Sequence, residues 1–133
     1  MAPEQRSITP PARNPETVTF WEACNEHRLL IKRCGACGEA HYYPRALCPF
    51  CLSADTRWEQ VEGRGTIYAF SVMRRSPVPF ALAYITIPEG VSILTNIVDC
   101  DLDRIEIGQS VRVVFKPADD GQLVAMFTAE SAE

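Results

Sequence analysis

The sequence predicts a mainly β protein in which a short N-terminal helix, a metal-binding segment and a five-stranded barrel follow one another. Three observations support this: an amphipathic pattern around residue 20, two Cys-x-x-Cys pairs between residues 34 and 51, and five runs with a period of two residues after residue 59. With 47% apolar and 23% charged residues, the 133-residue chain has the composition of one globular domain, or of two small modules sharing a core.

Residues 14–28 are expected to form the N-terminal helix, preceded by a flexible arm at residues 1–13. Asn14 is a suitable N-cap, and Pro15 suits the first helical position. One largely apolar helix face follows, formed by Thr17, Phe20, Trp21 and Cys24. The first residues lack the apolar stretch of a secretory signal, and no run reaches the roughly 18 residues of a membrane span, so we expect a cytoplasmic location.

Residues 29–58 contain the metal-binding segment. The run "RLLIKR" predicts a short strand that leads into four cysteines, Cys34, Cys37, Cys48 and Cys51. Each Cys-x-x-Cys turn presents two sulfurs to one ion, and Gly35 and Gly38 allow the tight turn that this requires. Two such pairs predict a tetrahedral zinc site with four thiolate ligands. Because the protein fills every coordination position, the site should be structural and not catalytic.

Other interpretations of the cysteines are less consistent with the sequence. Disulfides are disfavoured because no secretory signal is present. Thioredoxin-like redox chemistry uses a single pair at the start of a helix in an alternating β/α context, which is absent here. Iron in a rubredoxin-like centre uses the same four ligands, so the sequence leaves zinc and iron both open.

Residues 59–133 are expected to form the barrel. Five runs alternate between apolar and polar residues and are rich in β-branched and aromatic side chains: "GTIYAFSVM", "ALAYITI", "VSILTNIV", "VRVVFK" and "LVAMFT". Turn-forming segments rich in Pro, Gly and Asp separate them. Five short strands within about 70 residues favour a closed barrel, because closure removes exposed sheet edges. An OB-fold is the first candidate, and an SH3-like barrel is the alternative.

No catalytic set is evident in the sequence. His27, at the end of the predicted helix, and His41, between the two cysteine pairs, are isolated. Cys24 and Cys100 are expected to be packed thiols. Basic residues near the cysteines and the first barrel loop form either a solvated surface or a site for a phosphate-bearing ligand; they are Lys32, Arg33, Arg45, Arg74 and Arg75.

The charge distribution bears on nucleic-acid binding. Residues 1–58 have a net charge of +1 and residues 59–133 a net charge of −5, which together give the −4 of the whole chain. Zinc ribbons and OB-folds both occur in proteins that bind single-stranded nucleic acid, so this remains the alternative function. The acidic barrel half disfavours it, because a phosphate backbone requires a basic surface.

The order of motifs resembles the DUF35 family, whose members combine a rubredoxin-like zinc ribbon with an OB-fold and are associated with acyl-CoA. The resemblance extends from about Thr17 to Phe127. Its motifs are "FWEA", "LLIKRCGACGEAHYYPRALCPFC", "GRGTIYAFSV", "PFALAYITIPEGVSILTNIV" and "IGQSVRVVF". The cysteine pairs occur in many zinc ribbons, but their combination with "YPR", with "G-x-G-T" at the barrel entry and with the "EG" hairpin is much more specific.

The resemblance implies a function that periodicity does not reveal. DUF35 proteins are small companions of thiolase-like enzymes, including aldolases, or of MaoC-like hydratases; they stabilise the partner and help to hold an acyl-CoA. By position, the four cysteines match the metal ligands of the family. The segment from Arg74 to Phe80 matches a loop that faces the proposed CoA region, so Arg74, Arg75 and Phe80, together with Arg45, are the candidate CoA contacts.

The N-terminal helix has two possible roles in such an assembly. Phe20 and Trp21 could anchor the interface with the partner, because aromatic residues often contribute much of the binding energy of interfaces. Alternatively, they pack against the protein's own ribbon or barrel. The sequence favours neither role over the other.

Overall fold

The computed structural model describes residues 7–130 and contains one helix and eight strands. The first four elements are α1 (Val18–Asn25), β1 (Leu29–Cys34), β2 (Ala40–His41) and β3 (Thr56–Val61). The barrel follows as β4 (Arg64–Met73), β5 (Phe80–Thr86), β6 (Ser92–Ile97), β7 (Ser110–Pro117) and β8 (Leu123–Ala129). No helix within residues 7–130 is long and apolar enough to cross a membrane.

The barrel confirms the predicted five-stranded architecture. Its strands close in the order β4-β5-β6-β8-β7, with β4 hydrogen-bonded to both β5 and β7. All neighbouring strands are antiparallel except β6 and β8, which meet in parallel at Ile97 and Phe127. This is the Greek-key path of an OB-fold. Buried and exposed positions alternate most clearly along β5 and β6, and the barrel interior is filled by buried apolar side chains such as Ile67, Ile85 and Val111.

The helix is shorter than predicted at both ends. It begins at Val18 with Thr17 as its N-cap, and not at Pro15. The Asn14 side chain instead accepts hydrogen bonds from the backbone N–H groups of Glu16 and Thr17 (3.0 and 3.1 Å) and so closes a separate turn before the helix. At the other end, the helix terminates at Asn25, and His27 takes a positive φ of 60°.

The apolar face of α1 packs inside the protein. Phe20, Trp21 and Cys24 are buried in the same core as Phe127 of β8. Polar contacts attach the helix to the barrel, because Asn25 Oδ1 accepts a hydrogen bond from the backbone N–H of Leu123 (3.0 Å). The hypothesis that Phe20 and Trp21 anchor an interface is therefore wrong; both complete the protein's own core.

The chain before the helix lies along the loop between β7 and β8. In this loop, Asp119 accepts hydrogen bonds from the Ser7 hydroxyl, and its backbone N–H donates to the carbonyl of Ile8 (2.9 Å). Arg13 donates to the side chain of Gln122 (2.6 Å). These contacts concern the second half of the predicted arm; residues 1–6 lie outside the described residues.

A two-residue connection, Glu62–Gly63, links the ribbon to the barrel. Gly63 has a φ of 79°, and its carbonyl accepts a hydrogen bond from the N–H of Val113 (2.7 Å). A Cβ atom at this position would lie 2.3 Å from Cγ1 of Val113. Glycine is thus required here both for backbone conformation and for close approach of the two chain segments.

Replacement of Gly63 by alanine should separate these two requirements. Gly121→Ala is the matched control, because Gly121 also has a positive φ (91°) but a Cβ atom added there would meet no atom within 4 Å. The left-handed conformation should cost each variant about 1–2 kcal/mol. Gly63→Ala should lose about 1–3 kcal/mol more through overpacking against Val113. Chemical denaturation of the metal-loaded proteins measures this difference, and equal losses would contradict it.

Candidate functional site

The four predicted metal-ligating cysteines come together at one end of the ribbon sheet. Cys34 is the last residue of β1, Cys37 lies in the turn to β2, and Cys48 and Cys51 lie in the loop between β2 and β3. Their Sγ atoms all lie within 4.8 Å of one another. The Sγ atom of Cys34 lies 3.6 Å from that of Cys51, and the Sγ atom of Cys37 lies 3.7 Å from that of Cys48, so each Cys-x-x-Cys turn faces the other.

The two turns have the same backbone hydrogen-bond pattern. The N–H of Gly38 donates to the carbonyl of Cys34 (3.0 Å), and the N–H of Leu52 donates to the carbonyl of Cys48 (2.9 Å). Both donor residues have a positive φ, 79° for Gly38 and 65° for Leu52. A leucine in this conformation costs about 1 kcal/mol or more, so the surrounding structure must stabilise it. The sequence predicted the role of Gly38 but not that of Leu52.

Backbone N–H groups point at the sulfur atoms within these turns. The N–H groups of Cys37 and Ala36 donate to Cys34 Sγ (3.4 and 3.3 Å), and the N–H of Phe50 donates to Cys48 Sγ (3.4 Å). The hydrogen bond from the N–H of Cys37 is the main reason that the pKa of the Cys34 thiol is lowered to about 6. In contrast, desolvation and the neighbouring thiols raise the pKa of Cys37 to about 12, and the Cys34 side chain raises the pKa of Cys51. Backbone donors stabilise the thiolate, which is the form that binds metal.

This donor set fits a tetrahedral zinc ion. Zinc–thiolate bonds of about 2.3 Å at tetrahedral angles place neighbouring sulfurs about 3.8 Å apart, close to the two short separations observed here. Cys34 and Cys48 are buried, whereas Cys37 and Cys51 lie at the surface. Four thiolates would leave zinc no position for water or substrate, so the site suits a structural ion. Within residues 7–130, no other group of His, Cys, Asp and Glu side chains is placed to hold a metal.

The remaining histidines and cysteines do not form a catalytic arrangement within the described residues. His27 packs edge-on against Phe115, with ring centroids 5.2 Å apart. His41 is buried, and neither ring nitrogen has a hydrogen-bond partner there; burial, with the charges of Lys32 and Arg45, lowers its pKa. Burial raises the pKa of the Cys24 thiol to about 11, which keeps it protonated and unreactive.

The candidate CoA contacts lie in two parts of the molecule. Arg45 belongs to the ribbon, where its guanidinium lies 5.5 Å from the centroid of the Tyr43 ring. Arg74 and Arg75 are exposed in the loop between β4 and β5, and Arg74 forms an ion pair with Asp103. Phe80 begins β5 at the end of the same loop.

A surface cavity of about 670 Å³ lies beside this loop. Pro77, Val78 and Phe80 form one wall, and Val98 and Met126 contribute apolar surface from other segments. Lys116 brings a positive charge, which is paired with Asp99. Pro77, Val78 and Phe80 belong to the Arg74–Phe80 segment that the sequence indicated, whereas Val98, Lys116 and Met126 were not predicted from the sequence. The only available signal for Lys116 was its place on the polar face of "VRVVFK".

Comparison with known proteins identifies both modules. Residues 21–57 match the family model "ChsH2, rubredoxin-like zinc ribbon domain", and residues 58–116 match "ChsH2, C-terminal OB-fold domain". A "DUF35 domain-containing scaffold protein" of Methanocaldococcus jannaschii is 33% identical over 122 residues, which cover 82% of this chain and 86% of that protein. A "Probable enoyl-CoA hydratase alpha subunit" of Thermomonospora curvata is 34% identical over 124 residues, or 88% of this chain.

The chain spans only 38% of the length of this hydratase subunit, whereas it spans most of the scaffold protein. Among solved structures, a chain of "Ltp2-ChsH2(DUF35) aldolase" superposes with a TM-score of 0.79 at 31% identity. The superposition covers 90% of this chain and 98% of that one. The same ribbon and barrel thus occur both as a nearly complete small protein and as one part of a longer subunit.

We propose Cys34, Cys37, Cys48 and Cys51 as the zinc ligands, and Cys48→Ser tests this assignment. Binding of structural zinc contributes about 10–16 kcal/mol in zinc-finger peptides, so the variant should lose most of its metal and unfold at a much lower temperature. Mass spectrometry measures the metal content and distinguishes zinc from iron. Thermal unfolding measures the loss of stability. Cys100→Ser is the control and should keep full metal content. Retention of metal and stability by Cys48→Ser would contradict the assignment.

Proposed function

The chain belongs to the DUF35 family, and on this basis we propose that it is a non-catalytic accessory subunit of a cytoplasmic enzyme that processes acyl-CoA. Its partner is a thiolase-like enzyme or aldolase, or a MaoC-like hydratase. The subunit stabilises this partner and helps to bind the acyl-CoA, and its zinc ion has a structural role.

One observation carries the proposal. The chain aligns over most of its length with a protein named as a scaffold, and the same region forms 38% of a subunit named as part of an enoyl-CoA hydratase. A module that occurs in both settings is suited to supporting chemistry that another chain or domain performs. The closed cysteine site agrees with this role, because four thiolates would exclude substrate from the metal.

The cavity beside the β4–β5 loop supports the acyl-CoA part of the proposal. Acyl-CoA joins an apolar chain to a nucleotide with several phosphates, so a suitable site needs apolar walls with cations at its edge. The cavity combines Val78, Phe80 and Met126 with Lys116, and Arg75 is exposed in the adjoining loop. We propose that the apolar part of the ligand lies in this cavity and that Arg74, Arg75 and Lys116 face its phosphates. Arg45, on the ribbon, remains a further candidate contact.

Affinity capture from the native host tests the accessory role. The tagged chain should recover a thiolase-like or hydratase-like enzyme in fixed stoichiometry, identified by mass spectrometry, and the purified chain alone should not turn over acyl-CoA. Size-exclusion chromatography of the mixed pure components should then yield one complex. Recovery of single-stranded nucleic acid in place of an enzyme, with salt-dependent binding, would instead support the alternative function.

Charge reversal at Arg75 tests the acyl-CoA site in that complex. Arg75→Glu should weaken acyl-CoA binding about tenfold or more, because it removes a charge-assisted contact and adds repulsion. Arg57→Glu is the matched control on the ribbon, where the native arginine is exposed and paired with Asp55. Isothermal titration of the complex with acyl-CoA measures both affinities. If the two variants bind acyl-CoA with equal affinity, Arg75 does not contact the ligand, and the accessory role is unaffected by this result.

A further inference from the structure

The outer surface formed by β4, β5 and β6 carries no charged side chain where these strands pair with one another. The central cross-strand row consists of Ala69, Tyr84 and Leu94, which lie directly opposite one another. The row on one side consists of Thr66, Thr86 and Ser92, and the row on the other consists of Ser71, Leu82 and Asn96. We call these three rows the uncharged face.

Large side chains on the uncharged face are exposed to solvent. Tyr84 is 49% exposed and Leu94 is 54% exposed. Beside them, the register of β4 and β5 shifts between Ile67 and Ala69, and the intervening residue, Tyr68, is 69% exposed. Such a bulge often directs a side chain away from the sheet. Two tyrosines and a leucine thus form an apolar and aromatic group on the outside of a closed barrel.

The position of the uncharged face in the barrel does not account for its lack of charged side chains. The solvent-facing side of an antiparallel sheet is normally polar, and the outer positions of β7 follow that rule with Arg112 and Lys116. The helix does not cover the uncharged face, because α1 contacts β8 and β1. The nine positions of the three rows thus carry no charge in a chain in which 23% of the residues are charged.

The absence of charge on this face indicates which kind of partner can bind there. A nucleic acid needs cations for its phosphates, and the positions where β4, β5 and β6 pair with one another offer none. A protein surface that is itself uncharged and apolar would bury the face without leaving a charge unpaired. From strand spacing, the face measures about 14 Å by 20 Å, or about 300 Å², which suits the central part of an interface. Tyrosine is also among the residues that most often contribute strongly to binding.

The position of the face identifies the partner more closely. Asn96 belongs to one of its rows, and Phe80 lies opposite Met73 at the same end of the β4–β5 pair; both Asn96 and Phe80 also line the 670 Å³ cavity. A protein docked on the face would therefore border the cavity proposed for acyl-CoA. An enzyme that acts on the bound thioester needs this proximity. No such requirement applies to a second copy of this chain.

We infer that the uncharged face is the docking surface for an uncharged apolar patch on the catalytic subunit of the complex, an inference that rests on the proposed function. The interface would place the catalytic subunit against the open side of the cavity. Tyr84 and Leu94 would provide the central contacts, and Tyr68 would extend them beyond the edge of the paired rows.

The test uses Tyr84→Lys and Leu94→Glu in the full-length chain, with the catalytic subunit identified by affinity capture and then purified. Each change places a charge in the centre of the face and should weaken association at least about tenfold, because a buried unpaired charge is costly in an interface. Ile107→Glu is the matched control, since Ile107 is an exposed apolar residue (71%) in the loop before β7. It should bind like the unaltered chain. Metal content and thermal unfolding verify that each variant is folded.

The outcomes separate this inference from the proposed function. If the unaltered chain recruits the enzyme and both variants bind it as tightly as Ile107→Glu does, the docking surface is wrong and the accessory role stands. If the unaltered chain recruits no enzyme, both fail. If the chain forms a dimer in analytical ultracentrifugation that Tyr84→Lys dissociates, without effect on enzyme binding, a second copy occupies the face and the inference is overturned.

Discussion

A single hydrophobic core shared by the helix, the ribbon and the barrel is the constraint on which the rest of the structure depends. Phe20 of α1, Ile31 of β1 and Phe127 of β8 all belong to it. The sharing is necessary, because an eight-residue helix and a small three-stranded sheet cannot bury enough apolar surface alone. The modules that can be distinguished by sequence are therefore not independent in stability.

The cysteine site is connected to the core through β1. β1 contributes buried leucine and isoleucine side chains to the core and ends at Cys34, so one strand joins the apolar interior to the sulfur cluster. On the other side, the connection Glu62–Gly63 is too short to allow free movement between ribbon and barrel. The polar contact of Asn25 with β8 then sets the helix against the barrel. The sulfur cluster and the core are thus structurally continuous through β1.

Features with a strong local signal could be predicted from the sequence. The period of two residues identified all five barrel strands, and the spacing of the cysteines identified which side chains come together. Features that depend on distant segments could not be predicted. Phe20 and Trp21 lie on an apolar face, but periodicity does not reveal whether that face meets another protein or the chain's own barrel. The cavity joins the Pro77–Phe80 segment to Val98, Lys116 and Met126, and the uncharged face depends on the register between strands. Both require the closed topology to be known.

Closure of the barrel has a consequence for the aggregation risk of the exposed side chains on the uncharged face. Exposed tyrosine and leucine side chains on a sheet are usually an aggregation hazard, chiefly because a free edge strand lets another chain extend the sheet by backbone hydrogen bonds. Here β4 pairs with β5 from Thr66 to Met73, and its first residues, Arg64–Thr66, also pair with β7, so barrel closure shortens the free edge of the strand that carries Tyr68. The surface can therefore bind through its side chains while offering only a short edge for cross-β growth. A closed barrel is thus a suitable support for an exposed apolar surface such as the uncharged face.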